Sequence, residues 1–366
     1  IHCKPIKRST GSRSKKREGK IYSKNSSGLK KGEKMSQIPN EFNCFRINQE
    51  EDKIVSGLEK VKLEDINPGE VTLKTEYSSI NYKDALAATG AGKILRTFPL
   101  IGGVDVAGEV LESKDSRFNP GDKVIAACSG LSETNDGGYS EYTRISSEAA
   151  IELPEAMDTR TAMAIGTAGF AAGLAIYKMK LNKQTPEMGP IVVTGATGGV
   201  GSIAIDMLSA SGFETTAVTR KKTHDDYLKS IGTSNIICLE DMEMGERPLE
   251  KAQFGGGIDN VGGGLLSWVL RSTVPEGNVA SIGLAGDFKL PTNVMPFILR
   301  GVNLLGVNST TLPNSFKQDV WNDIAVNMSP KKIEQIVTKE VTLEELPEQF
   351  QAFLDGSIVG RVLVKI

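Results

Sequence analysis

Near the middle of the chain a β-branched run, Ile191-Val192-Val193, passes into Thr194-Gly195-Ala196-Thr197-Gly198-Gly199-Val200-Gly201-Ser202 and then into an apolar segment, Val200 to Ser211. Strand, glycine loop and helix in that order restrict the fold more than any other feature of the sequence. Glycines permit the tight turn and let backbone N–H groups approach a pyrophosphate, whose charge the N-terminus of the following helix favours. The pattern then repeats. A strand is expected over Glu214 to Val218 and a helix over Thr223 to Ile231, with Thr223 and Asp226 in capping-box spacing and Gly232 just past its end. Further strands are expected at Ile236-Ile237, Gly257-Ile258-Asp259, Asn278 to Ile282 and Val302 to Val307. Such alternation predicts a parallel doubly wound sheet.

The chain upstream has a different texture. From Val71 to about Leu153 it reads as short strands punctuated by turn residues: Val71-Thr72-Leu73-Lys74-Thr75, Asp105 to Val110, then Asn119-Pro120-Gly121-Asp122 before Lys123-Val124-Ile125-Ala126. Strands in such a series imply a barrel-like β domain. An Ala-rich run from Ala162 to Ile176 marks the change of texture near Thr159, and the last residues, Gly360 to Ile366, read as a strand returning to the first domain. No internal repeat is present, and no run of eighteen apolar residues has the length a bilayer span requires.

The glycine loop also fits T-G-x-x-x-G-x-G, the loop of short-chain dehydrogenases. Those enzymes open with it, whereas here about 160 residues separate it from Met35; their Y-x-x-x-K acid is also missing, since Tyr227 is followed four residues later by Ile231. Past the second strand, where an NAD site places an acidic residue on the ribose 2′-hydroxyl, stand Thr219-Arg220-Lys221-Lys222. Three cations just before a helix N-terminus face the positive end of its dipole, and an anion would relieve them. The 2′-phosphate of NADPH is such an anion; a solvated basic turn is the plain alternative.

A nicotinamide cofactor moves hydride, and a simple carbonyl that accepts it needs a Lewis acid or a proton donor. The only histidine beyond the tail is His224, and Cys3, Cys44, Cys128 and Cys238 form no C-x-x-C pair, so a zinc site is not expected. What remains is an acceptor with its own electron sink: a conjugated enone, an enoyl thioester or a quinone. For these the protein need only orient the partners and hydrogen-bond the developing enolate. The residues for that are Ser78-Ser79-Ile80-Asn81-Tyr82-Lys83-Asp84, expected just after a strand. Tyr82 can donate to the enolate oxygen or contact the nicotinamide, and Asn81 can orient it; a capped helix start is the structural alternative.

Net charge separates a tail from a body. Residues 1–34 carry twelve Lys or Arg against two Glu, which leaves 31 cations against 43 anions in the rest, a net −12. An acidic body does not suit nucleic-acid binding. The tail, rich in Ser, Gly and Lys, is expected to be disordered, as a transit peptide or as sequence upstream of a start at Met35. Sparse cysteines favour a reducing compartment, so a cytoplasmic setting is expected, or an organellar one if the tail is a transit peptide.

Taken together, Asn81-Tyr82-Lys83-Asp84, Gly121-Asp122-Lys123-Val124, Gly137 to Tyr142, Gly166-Thr167-Ala168-Gly169-Phe170, the glycine loop and Gly360 to Val364 resemble the zinc-free, quinone-oxidoreductase-like branch of the medium-chain dehydrogenase/reductase superfamily, from about Phe42 to Ile366. Where zinc members carry Gly-His-Glu, this chain has Gly103-Val104-Asp105. Tyr82 to Leu86, Gly92 to Arg96 with Phe98-Pro99, Gly283 to Gly286 and Val294 to Val302 are similar to the acryloyl-CoA reductase subgroup.

The resemblance implies an α/β protein: a GroES-like β-barrel catalytic domain over about residues 36 to 158 and 309 to 366, and a Rossmann NADPH-binding domain over about 159 to 308. It implies cofactor contacts at Tyr82, at Thr197, Gly198, Gly199 and Val200, at Thr219, Arg220 and Lys221, and at Leu284, Ile298, Ser309 and Arg361, with Leu284 and Ile298 equally open to a core role. Relatives often have Gly where Arg220 stands. The implied reaction adds hydride from NADPH to the β-carbon of acryloyl-CoA, with water or Tyr82 protonating the α-carbon. A quinone or free enone as substrate, or NADPH binding without turnover, are the alternatives. Lys93 and Arg96 are candidates to face the CoA phosphates. No nucleic-acid or membrane partner is expected; a homodimer is, with the strand Val302 to Val307 at its seam.

Overall fold

The structure, a computed structural model, describes residues 38–220 and 222–366; the basic tail and Lys221, for which the sequence raised expectations, lie outside the described residues. The chain opens with a hairpin the sequence had not suggested, β1 (Phe42–Glu50) against β2 (Lys53–Val61), paired from Glu50↔Lys53 to Phe42↔Val61 around a turn at Glu51-Asp52. In β1, Phe42, Cys44, Phe45 and Ile47 are buried, whereas in β2 only Val61 is buried and the other residues are half-buried or exposed. There follow β3 (Val71–Ile80), α1 (Tyr82–Thr89), β4 (Leu100–Ile101), β5 (Asp105–Ser113), β6 (Lys123–Ala127), β7 (Tyr142–Ile145) and β8 (Ile151–Glu152). The strand expected to end near Thr75 continues to Ile80, so Ser78 and Ser79 lie within it.

Helix α2 (Thr159–Leu181) begins at Asp158, whose carboxylate accepts the Thr161 N–H at 2.6 Å. Sixteen of its 23 residues are buried, which explains its composition: an Ala- and Gly-rich helix lets sheets approach on several sides. Then come β9 (Ile191–Thr194), α3 (Gly199–Ala210), β10 (Thr215–Thr219), α4 (Asp225–Ser230), β11 (Asn235–Cys238), β12 (Phe254–Asp259), α5 (Gly263–Ser272), β13 (Thr273–Ser281), α6 (Met295–Arg300) and β14 (Asn303–Gly306). The expected capping box at Thr223 is absent. Residues 222–224 form a tighter helical turn, α4 starts after His224 without a side-chain cap, and Asp225 and Asp226 occupy its first turn, where carboxylates suit the dipole. The chain closes with α7 (Asn314–Asn327), α8 (Ile333–Ile336), β15 (Val337–Val341), α9 (Leu346–Leu354) and β16 (Arg361–Lys365).

The strands form three sheets. Six parallel strands run in the order β11-β10-β9-β12-β13-β14, the doubly wound dinucleotide-binding order, with the switch point between β9 and β12. Seven strands, ordered β15-β16-β3-β5-β6-β8 with β7 also on β3, and the three-stranded sheet β2-β1-β4 build the GroES-like half. As expected, the C-terminal strand returns there, Val362 to Lys365 pairing antiparallel with Ile80 to Tyr77.

Residues 314–336 pack on α2 in a core that also takes in Ala107, Ile125, Ile151 and Leu363 of the antiparallel half. Val320, Trp321, Ile324, Met328 and Ile336 join Phe170, Leu174, Ile203 and Met207 in one core, with Trp321 stacked on Phe170 at 5.6 Å. The apolar spacing on α7 suits the face offered by α2, and burial there decides its placement.

Candidate functional site

The C-terminal ends of the parallel strands and the end of β3 converge on one region, where five segments distant in sequence are joined by hydrogen bonds. On the parallel-sheet side, the loop after β9 bends at Gly195 (φ 59°) and enters α3 at Gly199. A Cβ on Gly201 would lie 2.4 Å from the Gly195 carbonyl oxygen, so loop and helix close only over a glycine. Thr197 is buried, and its carbonyl accepts the Gly360 N–H at 2.9 Å, which ties the loop to the start of β16.

At the end of β10, Thr219 is buried and Arg220 exposed; Lys222 pairs with Asp241 at 2.8 Å, whereas Arg220 forms no ion pair with the described residues. Of the described cations in that turn, Arg220 is thus the one left to meet a phosphate. The sequence reading had missed Asn260. Following β12, its side chain donates to the Thr194 carbonyl at 2.8 Å, and its own Oδ1 is buried without a partner among the described residues. A glycine cradle, an exposed arginine past the second strand and an orphaned acceptor at the switch point fit a dinucleotide.

On the other side, Tyr82 is the first residue of α1 and is 56% exposed. Asn81 caps that helix, the structural alternative weighed for this cluster, but its side chain does more. Asn81 Nδ2 donates to Asp105 Oδ2 at 2.8 Å, and its Oδ1 accepts from Arg361 Nη1 at 3.0 Å. With both ends engaged inside the protein, Asn81 positions the turn that presents Tyr82. Asp84 accepts the backbone N–H groups of Asn81 (2.8 Å) and Val104 (2.9 Å), and burial pushes its carboxyl up to about 7.

Asp105 and Arg361 form the hub. Asp105, completely buried, accepts from Ser79 Oγ (2.6 Å), Asn81 Nδ2, the Thr167 N–H (3.0 Å) and Thr167 Oγ1 (2.5 Å). Arg361, 3% exposed, donates to the carbonyls of Ala164 (3.0 Å) and Ile80 (3.3 Å) and to Ser79 Oγ (2.7 Å), with Asp105 Oδ2 3.8 Å from its guanidinium. Its donors are directed into the protein, so Arg361 joins the loop to the Tyr82 turn from beneath. Gly166 makes this possible. Its φ of 51° breaks the regular course of α2, and a Cβ there would lie 2.6 Å from Asp105 Oδ2 and 2.7 Å from Arg361 Nη2.

Leu284 and Ile298 are 68% and 71% exposed, which removes the core role left open for them. Ser309 is half-buried beside the Cys128 thiol. Sequence reasoning missed Asp105 and Thr167 as site residues; Ser79 lay within the expected polar cluster, and Asp105 had been noted only as a strand start and as the neighbour of Val104, which replaces the histidine of zinc members.

Two family models match: Alcohol dehydrogenase GroES-like domain over residues 67–155 and Zinc-binding dehydrogenase over residues 199–325. An acrylyl-CoA reductase of Ruegeria pomeroyi is 40% identical over 328 residues, spanning 89% of this chain and 99% of that protein. A Bacillus subtilis protein with the provisional name of quinone oxidoreductase is also 40% identical, over 326 residues, spanning 89% and 99%. Its crystal structure with NAD bound superposes with a TM-score of 0.87 over 90% of this chain and 100% of that one. The yhdH oxidoreductase of Salmonella enterica, solved in complex with NADP, is 39% identical with a TM-score of 0.85, covering 88% and 99%. The chain belongs to the medium-chain dehydrogenase/reductase superfamily of oxidoreductases, in its quinone-oxidoreductase-like branch with the acrylyl-CoA reductases.

Proposed function

We propose that this chain uses NADPH to reduce the conjugated C=C bond of acryloyl-CoA to propanoyl-CoA without a metal. The observation that carries the reading is the wiring of the Tyr82 turn, through Asn81, Asp105 and Arg361, to the strand that holds the glycine loop. NADPH, when bound, supplies a hydride to the β-carbon of the acyl group. The protein's part is to hold the acceptor against that carbon and to offer hydrogen bonds where the thioester oxygen gains charge. The α-carbon takes a proton from water or from Tyr82, whose exposure leaves it accessible to a substrate. Names and ligands of relatives support this: the reductase of Ruegeria pomeroyi for the substrate, and the Salmonella enterica structure with NADP for the cofactor.

The region where zinc relatives hold their metal fits such chemistry. Val104 stands where they have histidine, and the neighbouring Asp105 is engaged by four hydrogen bonds within the protein. The second reading keeps the fold and changes the acceptor to a quinone, favoured by the name of the equally identical Bacillus subtilis relative. NADPH absorbance followed with acryloyl-CoA, with a quinone and with buffer alone separates these readings from binding without turnover. Loss of absorbance only with the quinone would overturn the acyl-CoA assignment.

A homodimer is part of the same proposal. Among the described residues β14 pairs on one edge only, with β13, and Leu299 and Val294, shortly before it in sequence, are 60% and 63% exposed.

A further inference from the structure

Helix α7 buries a charge that its surroundings do not neutralise. Lys317 is 5% exposed, yet no carboxylate among the described residues lies within ion-pair distance of its ammonium. Its one hydrogen bond goes to Ser129 Oγ at 2.7 Å, and that hydroxyl already donates to the Ala127 carbonyl. An ammonium has three donors, and one hydroxyl lone pair satisfies only one of them. A buried cation left this way is destabilising unless something anionic meets it. Burial accordingly lowers the pKa of Lys317 below the ordinary lysine value.

Its place in the molecule narrows what that anion is. Ser129 follows Cys128 on a loop in which Cys128, Ser129, Gly130 and Ser132 all have φ between 53° and 83°. Non-glycine residues hold that conformation only where surrounding contacts enforce it. The Cys128 sulfur lies 3.2 Å from Thr167 Oγ1, whose own proton is given to Asp105, so the thiol donates to the threonine. From Lys317 the path therefore runs through Ser129, Cys128, Thr167 and Asp105 to Asn81 and the Tyr82 turn. Lys83 faces the same thiol, but Glu133 neutralises it at 2.6 Å. Lys317 is the cation in this cluster with charge to spare.

We propose that Lys317 is a further catalytic residue, whose ammonium hydrogen-bonds the acyl carbonyl oxygen of the thioester and holds the negative charge that oxygen gains when hydride adds to the β-carbon. No proton leaves the lysine in this step. The π electrons of the C=C bond move to give the enolate, whose oxygen the ammonium contacts, and the α-carbon is later protonated from solvent or Tyr82. A CoA phosphate is the wrong anion for this place, because the pantetheine arm sets the phosphates far from the acyl group and Lys317 is interior. The inference rests on the acyl-thioester reading above.

The test uses the full chain with NADPH and three forms: wild type, Lys317→Met and Lys317→Arg. Lys317→Met should lower kcat with acryloyl-CoA by about a hundredfold, the scale of losing one oxyanion donor, while the Kd for NADPH changes less than about twofold. Lys317→Arg, which keeps the charge, should recover most of the lost rate. Infrared difference spectra of carbonyl-labelled propanoyl-CoA bound with NADP should show a downshifted C=O band in wild type, lost in Lys317→Met and restored in Lys317→Arg. Equal rates and equal band positions in wild type and Lys317→Met would overturn the assignment alone. A wild type that neither reduces acryloyl-CoA nor shifts the band would overturn the acyl-thioester reading and this inference with it.

Discussion

The parallel-sheet half and the antiparallel half furnish their sides of the site by different means. In the former, backbone does most of the work: a loop of glycines after β9, a helix N-terminus and an arginine past β10, all within Gly195 to Arg220. In the latter, side chains far apart in sequence are brought together. Ser79, Asn81, Asp105, Thr167 and Arg361 come from two strands, a cap, a kinked helix and the C-terminal strand, and Arg361 contacts Ser79 across 282 positions. A site made of backbone tolerates changes in side chains that do not touch it, whereas a buried polar network is sensitive to every member.

The difference can be broken experimentally. Arg361→Met should have the largest effect, since it leaves the Asp105 carboxylate buried without its cation; a loss of about 3–5 kcal/mol in urea unfolding is expected, and a loss under about 1 kcal/mol would mean the network is not the hub described. Gly166→Ala should follow, at about 1–3 kcal/mol or more, because φ is 51° and the added methyl meets Asp105 and Arg361. Both changes should lower turnover with the loop sequence intact.

Replacing Arg220 and Lys221 by Asp and Ser should act on affinity and not on folding. NADPH should weaken by at least about tenfold relative to NADH, the scale of one charged hydrogen bond, as read by fluorescence titration. Equal losses for the two cofactors would count against the 2′-phosphate assignment.

The smallest effect concerns pH. With its carboxyl at about 7, Asp84 binds more protons in the folded than in the unfolded chain at any pH between its unfolded value near 4 and its folded one. Its contribution to stability is therefore present below about pH 4, declines as pH rises, and is lost above about pH 7. Thermal midpoints between pH 5 and 8 should fall less steeply in Asp84→Asn than in wild type; identical slopes would place the titrating group elsewhere.

Legibility in the sequence follows the same division. The glycine loop, the strands at Ile191, Thr215, Ile258 and Val279 and the basic turn could be read because each depends on neighbours within about twenty residues. The hairpin Phe42–Val61 was not read, since neither strand keeps a strict apolar alternation: Cys44 and Phe45 are buried side by side, and in β2 only Val61 is buried. The packing of α7 on α2 was not legible either, as the face it fills belongs to another helix and leaves no trace in the local sequence. Asn81 and Tyr82 were legible as a polar cluster, but Asp105 was read only as a strand start beside Val104, the position where zinc members have histidine. Its partners Ser79, Thr167 and Arg361 lie 26, 62 and 256 positions away, and no spacing rule connects them.

The central claim is that this site passes hydride from NADPH to the β-carbon of a conjugated acyl thioester. It is tested most directly by supplying NADPH deuterated at the transferable position together with acryloyl-CoA, and locating the label in the product by mass spectrometry and NMR. The account predicts propanoyl-CoA with one deuterium on the β-carbon and a solvent proton on the α-carbon. Label absent from the β-carbon, or deuterium consumed only when a quinone is present, would contradict it.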